Sequence, residues 1–326
     1  MSITCAFQCN VIGGLSNRFP GNRVSHDRPA VLPRPRSLPL PLRRQNGSKL
    51  CFKGIPRVAA VASGQGLREG EGLPLAEVLA VTINNIDNEN PGDLYGTVKV
   101  TDHRLTQYIY NRERRYYESI SPGQNALLTG PTTQAILATN SFTIDVYLMD
   151  KDSDASPDDN ISNGQINWNV NDSKNKYEEP IFHQIDGAYG SATVVYAVLK
   201  NAVQANVEVT LIDGDGENPA DVYGLIAASN TKIKRTFESV LFRRNSGEYA
   251  SVRPGRDIPL SRSIVAVPLD SSLIVRADLT DYDTIGSDDE IAKGSATFPA
   301  QLSGTSEQKI YGKYGEIKVK VTWKNI

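Results

Sequence analysis

From residue 74 onward the chain is built of short runs rich in β-branched and aromatic residues, each bounded by Gly, Pro, Asn or Asp. Val78–Ile83, Thr97–Val100, Phe142–Leu148 and Val194–Leu199 form one set, and Val207–Ile212, Leu225–Ala228, Leu273–Leu279 and Ile317–Trp323 form a second. Such runs, separated by turn signals, predict strands. No stretch holds a helical period beyond two turns. The pattern therefore predicts an all-β chain of antiparallel sandwiches.

The two sets belong to an internal repeat. Asp87, Glu89-Asn90-Pro91, Asp93 and Tyr95-Gly96 recur as Asp215, Glu217-Asn218-Pro219, Asp221 and Tyr223-Gly224 at a constant offset of 128 residues. Further on, Asp150, Asp152, Asp158, Asp159 and Ile161 match Asp281, Asp283, Asp288, Asp289 and Ile291, with one residue inserted in the first copy. Tyr189-Gly190 and Tyr314-Gly315 then open the last strand of each copy. Three matches in the same order mark a duplication. The expected organisation is a leader over residues 1–67, a first β-sandwich over 74–202 and a second over 203–326.

A length of 326 residues suits two domains that each bury a core. The formal charge of −2 hides an asymmetry: residues 1–67 hold ten Lys/Arg and a single acid, Asp27, so the remaining 25 basic and 36 acidic residues leave the body at −11. An acidic body argues against nucleic acid as the partner, because phosphate binding needs a Lys/Arg field. It suits divalent cations. The leader is rich in Arg, Ser and Pro and ends in Pro56-Arg57-Val58-Ala59-Ala60-Val61-Ala62-Ser63. That composition is expected of a chloroplast transit peptide, or of a disordered tail on a cytoplasmic protein. Cys5, Cys9 and Cys51 all lie in it, so the body has no cysteine for a disulfide or a thiolate metal site. No run of about 18 apolar residues is present to serve as a transmembrane helix.

The acids fall where strands hand over to loops. Asp87 and Asp93 follow one strand of the first copy, and Asp150, Asp152, Asp158 and Asp159 follow another; Asp215, Asp221, Asp281, Asp283 and Asp289 repeat the arrangement. Carboxylates gathered at one end of a sandwich need a cation between them. Calcium takes six to eight oxygen ligands, whereas zinc prefers His or Cys. The body offers only His103 and His183, neither beside an acid cluster. These eleven aspartates are therefore candidate Ca2+ ligands. An EF-hand is excluded: counting from Asp281, position 5 is Ile285 and position 12 is Ala292, and from Asp150, position 12 is Ile161.

The spacing Asp-x5-Asp-x-Tyr, followed about 60 residues later by Asp-x-Asp-x5-Asp and then Ile and Gly, resembles the calcium loops of the protein kinase C conserved-region-two sandwich. That resemblance implies five ligands in the second copy, Asp215, Asp221, Asp281, Asp283 and Asp289. In the first copy it implies Asp87, Asp93, Asp150, Asp152 and Asp158, with Asp159 competing for the last role because of the insertion. Gly96 and Gly224 depart from that pattern, which carries an apolar residue after the loop tyrosine. Gly92–Gly96, Tyr110-Asn-Arg112, Leu128–Pro131 and Phe142–Leu148 also resemble a plant domain of unknown function found in grass proteins, including jasmonate-induced ones. This second resemblance supplies no activity.

The expected function is a calcium-binding module that meets an anionic phospholipid surface or a protein. The alternative is a calcium-independent interaction or stress-response scaffold of the plastid. Arg112, Arg114, Arg115, Lys232, Lys234, Arg235, Arg243 and Arg244 are candidates for lipid phosphate, although charges along an exposed strand need no partner. The sequence holds no Gly-x-Ser-x-Gly, His-Glu-x-x-His or phosphate-cradling glycine loop, so an enzyme is not expected.

Overall fold

The computed structural model describes residues 70–153, 156–233 and 237–326. The leader expected over residues 1–67, with its cleavage signal, lies outside the described residues. Strands account for nearly all the regular structure. In the first copy they are β1 (Leu73–Ile86), β2 (Gly92–Thr101), β3 (Thr106–Arg112), β4 (Glu118–Ile120), β5 (Ile136–Leu137), β6 (Phe142–Asp150), β7 (Asp159–Trp168) and β8 (Ile181–Asp186). β9 (Gly190–Gly214) leads into β10 (Ala220–Asn230), β11 (Ser239–Arg244), β12 (Ala250–Val252), β13 (Ile264–Pro268), β14 (Ser272–Asp281), β15 (Asp289–Pro299), β16 (Ser303–Tyr311) and β17 (Gly315–Lys324). Two 3-10 turns, Arg114–Tyr116 and Ser246–Glu248, take the same place in the two copies.

Each copy has an outer sheet of its own. β3-β2-β6-β7, with β4 on β2, is the first; β11-β10-β14-β15, with β12 on β10, is the second. Along β6 burial alternates, with Phe142, Ile144, Val146 and Leu148 inward, and β14 repeats this with Leu273, Val275, Ala277 and Leu279. A sheet with one covered face requires that period of two. Every predicted strand falls inside an observed one.

The inner sheet is common to both copies and runs β16-β17-β9-β1-β5, with β8 and β13 also on β9. Val194–Leu199 and Val207–Ile212, predicted as separate strands, belong to the one strand β9. The expected boundary between residues 202 and 203 thus lies within a strand. Ala192, Val194, Tyr196 and Val198 of β9 enter the first core, and Val203, Ala205, Val207, Val209 and Leu211 enter the second. Between them Lys200 and Asn201 are exposed, and the register with β1 slips there, from Leu75↔Leu199 to Leu73↔Ala202. Such a bulge bends a strand.

The bend is large. Glu77 pairs with Ala197 and Ala266 with Gln204, positions about 23 Å apart on a straight strand. Yet the Ala266 N–H donates to Glu77 Oε2 at 2.9 Å. β9 therefore folds back on itself and brings β1 against β11 and β13. Ser239, at the start of β11, donates to Glu77 Oε1 at 2.7 Å, and Arg243, near its end, donates to the Asn125 carbonyl beside Thr82 at 2.9 Å. β1 and β11 thus run the same way, and the copies stand side by side with their acidic loops at the same end.

A buried ion pair closes this interface. Arg262 Nη1 lies 3.5 Å from Glu77 Oε1 and donates to the Val78 carbonyl at 2.8 Å, while Nε donates to the Val240 carbonyl at 3.2 Å. Around it Leu75, Leu79, Val195, Leu199, Ile264 and Ala266 make a third core. Burial raises the Glu77 carboxyl above its ordinary range, against the opposing pull of Arg262. Truncating one partner of a buried pair strands the other. Arg262→Ala is expected to cost about 3–5 kcal/mol in urea unfolding; a loss under about 1 kcal/mol, the scale of an exposed pair, would show that the pair does not hold the copies together.

Candidate metal centre

The alternation that builds β6 and β14 carries an aspartate onto the inward register at the end of each strand. Asp150 and Asp281 are each 1% exposed. One carboxylate oxygen is used: Asp93 N–H donates to Asp150 Oδ1 at 2.7 Å, and Asp221 N–H donates to Asp281 Oδ1. The other, Oδ2 in both, is buried with no hydrogen-bond partner. Burial pushes each carboxyl up to about 6, and neighbouring acids add to the rise, Glu89, Asp152 and Asp93 in the first copy and Glu217, Asp283 and Asp221 in the second. A buried oxygen left without a partner is costly, and it is a ready ligand.

Asp87 and Asp215 open the tight turns after β1 and β9 in left-handed conformation, with φ of 45° and 59°, which Asp tolerates better than most residues. The Asp87 carboxyl lies within hydrogen-bonding reach of Asp159, and that of Asp215 within reach of Asp289. The Asp159 carboxyl is pushed up to about 6 by burial and then by Asp87, and the Asp215 carboxyl is raised chiefly by Asp289. Two carboxylates in such contact must share a proton or a cation. Gly96 and Gly224, at φ of 121° and 117°, have no room for a Cβ against the carbonyls of Tyr147 and Asp278. Their departure from the apolar pattern is thus set by the backbone of the neighbouring strand.

In the strand register Asp159, and not Asp158, takes the place of Asp289. Asp159 pairs with Asp150 as Asp289 pairs with Asp281. Asp158 instead corresponds to Asp288. Tyr95 donates to Asp158 and Tyr223 to Asp288, both at 2.7 Å, and the amides of Asp152 and Asp283 donate to the same two residues at 3.3 and 3.2 Å.

The copies differ in their cations. Arg114 grips both oxygens of Asp158, with Nη2 at 2.8 Å from Oδ1, and donates to the Asp152 carbonyl at 3.1 Å. It holds the Asp158 carboxyl down at about 2. Ser246 stands at that place in the second copy. Lys151 Nζ lies 3.9 Å from Asp93 Oδ2 and 4.0 Å from the Tyr117 ring centre; the second copy has Tyr282 there, stacked on Tyr249. Among the described residues no cation pairs with Asp221, Asp283 or Asp288, although Lys313 lies near enough to Asp289 to feel its charge. The pairing of Arg114 with these acids leaves no signal in the sequence, where 44 residues separate it from Asp158.

Several of the other basic residues proposed for lipid phosphate have acidic neighbours. Lys232 pairs with Asp270 at 2.7 Å, and Arg112 and Arg243 both lie against Glu118, at 3.5 and 2.9 Å. Lys234 and Arg235 lie outside the described residues. Among the described residues no three acidic, His or Cys side chains stand close enough to form a finished ligand shell. The carboxylates are gathered two at a time, as uncompensated like charges require. Donors that are all oxygen, some with free lone pairs, fit a hard cation such as calcium rather than zinc.

The profile of a domain of unknown function (DUF6598) matches residues 75–321, spanning both copies. No curated protein matches. Among solved structures, a calcium-bound pair of C2 domains from Extended-Synaptotagmin 2 is similar at 12% identity, over 78% of this chain and 96% of that one, with a TM-score of 0.24. Human GIVD cytosolic phospholipase A2 is similar at 10% identity over 79% of this chain, with a TM-score of 0.23, and the match spans 33% of the phospholipase. At such scores neither likeness fixes the arrangement of strands.

The carboxyl shifts give stability a defined pH dependence. Asp150, Asp159 and Asp281, raised to about 6, bind protons more tightly folded than unfolded, so their contribution falls as pH rises from about 4 through 6. Asp158, lowered to about 2, stabilises above about 4 and is lost toward pH 2. Thermal melts in chelator are expected to peak near about pH 4 and to fall toward pH 6. A melting temperature that climbs steadily to about pH 8 would contradict these assignments.

Proposed function

Because the chain belongs to the DUF6598 family, whose description assigns no activity, its function is read from its own side chains, and we propose that it is a calcium-binding module. What carries this reading is the buried, unpartnered Oδ2 of Asp150 and Asp281 beside carboxyl pairs that are already in contact. When bound, calcium supplies two positive charges and six to eight bonds to oxygen. Asp215, Asp281 and Asp289 are the second copy's principal ligands in this reading, with Asp221 and Asp283 completing the set. Asp87, Asp150 and Asp159 take the same places in the first copy, with Asp93 and Asp152.

The copies are not equal in this reading. Arg114 and Lys151 already offset charge in the first cluster, and Arg114 also occupies the Asp152 carbonyl, a backbone oxygen of the kind calcium uses. The second cluster, with Ser246 and Tyr282 at those positions, is the tighter site. Its loop carries Ile285 at the tip, 93% exposed. Neutralising the acids below would let that side chain enter an anionic phospholipid surface, a burial worth about 1.5–3 kcal/mol for an isoleucine. The basic leader supports delivery to the plastid, and the module acts by binding rather than catalysis.

A second reading, a calcium-independent contact with a protein, draws on Tyr108 and Tyr147, both exposed on the first outer sheet. Calcium titration of the whole chain separates the two. Tight binding is expected to disappear in Asp281→Asn with the melting temperature no longer raised by calcium, and Arg114→Ser/Lys151→Tyr is expected to tighten the first site about tenfold or more. A wild-type melting temperature indifferent to calcium would overturn the calcium reading. Ile285→Asp is expected to weaken calcium-dependent binding to phosphatidylserine vesicles about tenfold or more, with calcium affinity kept; unchanged vesicle binding would remove the lipid from the proposal.

A further inference from the structure

The groove between the copies gathers arginines from both. A hollow of about 700 Å³ and an adjoining one of about 590 Å³ share Arg112, Arg243, Arg244, Leu127 and Glu248 in their walls. The body is acidic in sum, with 25 basic and 36 acidic side chains after residue 67, so three guanidinium groups here are an exception. They converge because β9 bends. Arg112 closes β3 opposite Gly96, and Arg244 closes β11 opposite Gly224, the same position in each repeat.

Each of these two is held by one end. Arg112 Nη1 donates to the Tyr116 carbonyl at 3.2 Å, and Arg244 Nη1 to the Glu248 carbonyl at 2.8 Å, so each guanidinium is fixed by its own 3-10 turn. Arg112 Nε is buried with no hydrogen-bond partner and faces Glu118 Oε2 at 3.5 Å. Arg243 crosses from the second copy to Glu118 Oε1 and the Asn125 carbonyl of the first, both at 2.9 Å. Two carboxylates, Glu118 and Glu248, face three guanidiniums. Glu118 is already spent on Arg243, on Arg112 and on the Leu127 N–H, which lies 3.1 Å from each of its oxygens.

We propose that this groove binds a phosphate-bearing anion, with Arg112, Arg243 and Arg244 as its donors. Guanidinium forks match phosphate oxygens in pairs, and donors fixed beforehand lose little freedom when the ligand arrives. The volume admits a ligand with several phosphates, either a soluble inositol phosphate or the headgroup of a phosphoinositide. The site needs no calcium.

The test is calorimetric titration of the full chain in chelator with inositol hexakisphosphate, beside flotation with phosphatidylcholine vesicles carrying phosphatidylinositol 4,5-bisphosphate. Arg243→Gln is expected to weaken hexakisphosphate binding about tenfold, and Glu248→Gln, which removes a competing carboxylate and keeps the turn carbonyl, to tighten it. Binding of the soluble probe alone assigns a soluble anion, and binding of both assigns the headgroup as well. Arg112→Gln and Arg244→Gln bear on the turns and Arg243→Gln on the contact between the copies, so Glu248→Gln, with an unchanged melting temperature, carries the result, and Arg243→Gln is read beside its own melting temperature. Failure of both probes to bind, or binding that neither substitution alters, would overturn the proposal. Chelator removes calcium from every arm, so neither outcome touches the calcium reading.

Discussion

The arrangement of this molecule depends on one buried contact, the Glu77 carboxylate held by Arg262, Ser239 and the Ala266 amide. Ser239, Arg262 and Ala266 belong to the second copy and Glu77 to the first. Without them the long strand β9 could run straight and carry the two acidic loops to opposite poles. With them β9 turns back at Lys200-Asn201, and both clusters come to one end with an arginine-lined groove between them. A buried ion pair is weak evidence for stability, but it suits the selection of one geometry among several. Here that geometry decides which surfaces can act together.

The acidic loops pose the opposite problem. Strand alternation forces Asp150 and Asp281 inward, and the register then presses Asp87 on Asp159 and Asp215 on Asp289. Such crowding costs stability at neutral pH, and a fold under selection for stability alone would replace these acids with apolar residues. The first copy relieves part of the repulsion with its own Arg114 and Lys151. The second leaves Asp221, Asp283 and Asp288 without a paired cation among the described residues, and it is the one with the bare isoleucine at its loop tip. Cluster charge and loop apolarity thus vary together between the copies.

Much of this was legible in the sequence because it is local. The β-branched and aromatic runs lie inside observed strands, and the repeat located both acid sets. Long-range features were not legible. The pattern Val194–Leu199 then Val207–Ile212 reads as two strands, because Lys200 and Asn201 mimic a linker; they form a bulge within one strand. Spacing favours Asp158, with Asp159 competing because of the inserted residue, whereas strand pairing gives Asp159 the place of Asp289. The role of Arg114 was hidden for the same reason: a charge on one loop says nothing of the carboxylate it will meet across the sandwich. Ile86 and Gly92 against Gly214 and Ala220 show the repeat adjusting itself, since a Cβ at Gly92 would meet the Ile86 side chain at 2.8 Å, and Gly214 makes room for the Cβ of Ala220.

Whether the crowded carboxylates exist to hold a cation is decided by a crystal structure of the protein grown with calcium near neutral pH. An ion is expected to bridge Asp215, Asp281 and Asp289, with Asp281 Oδ2 among its ligands and the direct contact between Asp215 and Asp289 broken. Crystals in which that contact persists and Asp281 Oδ2 stays buried without a partner, with calcium in the medium, would refute it.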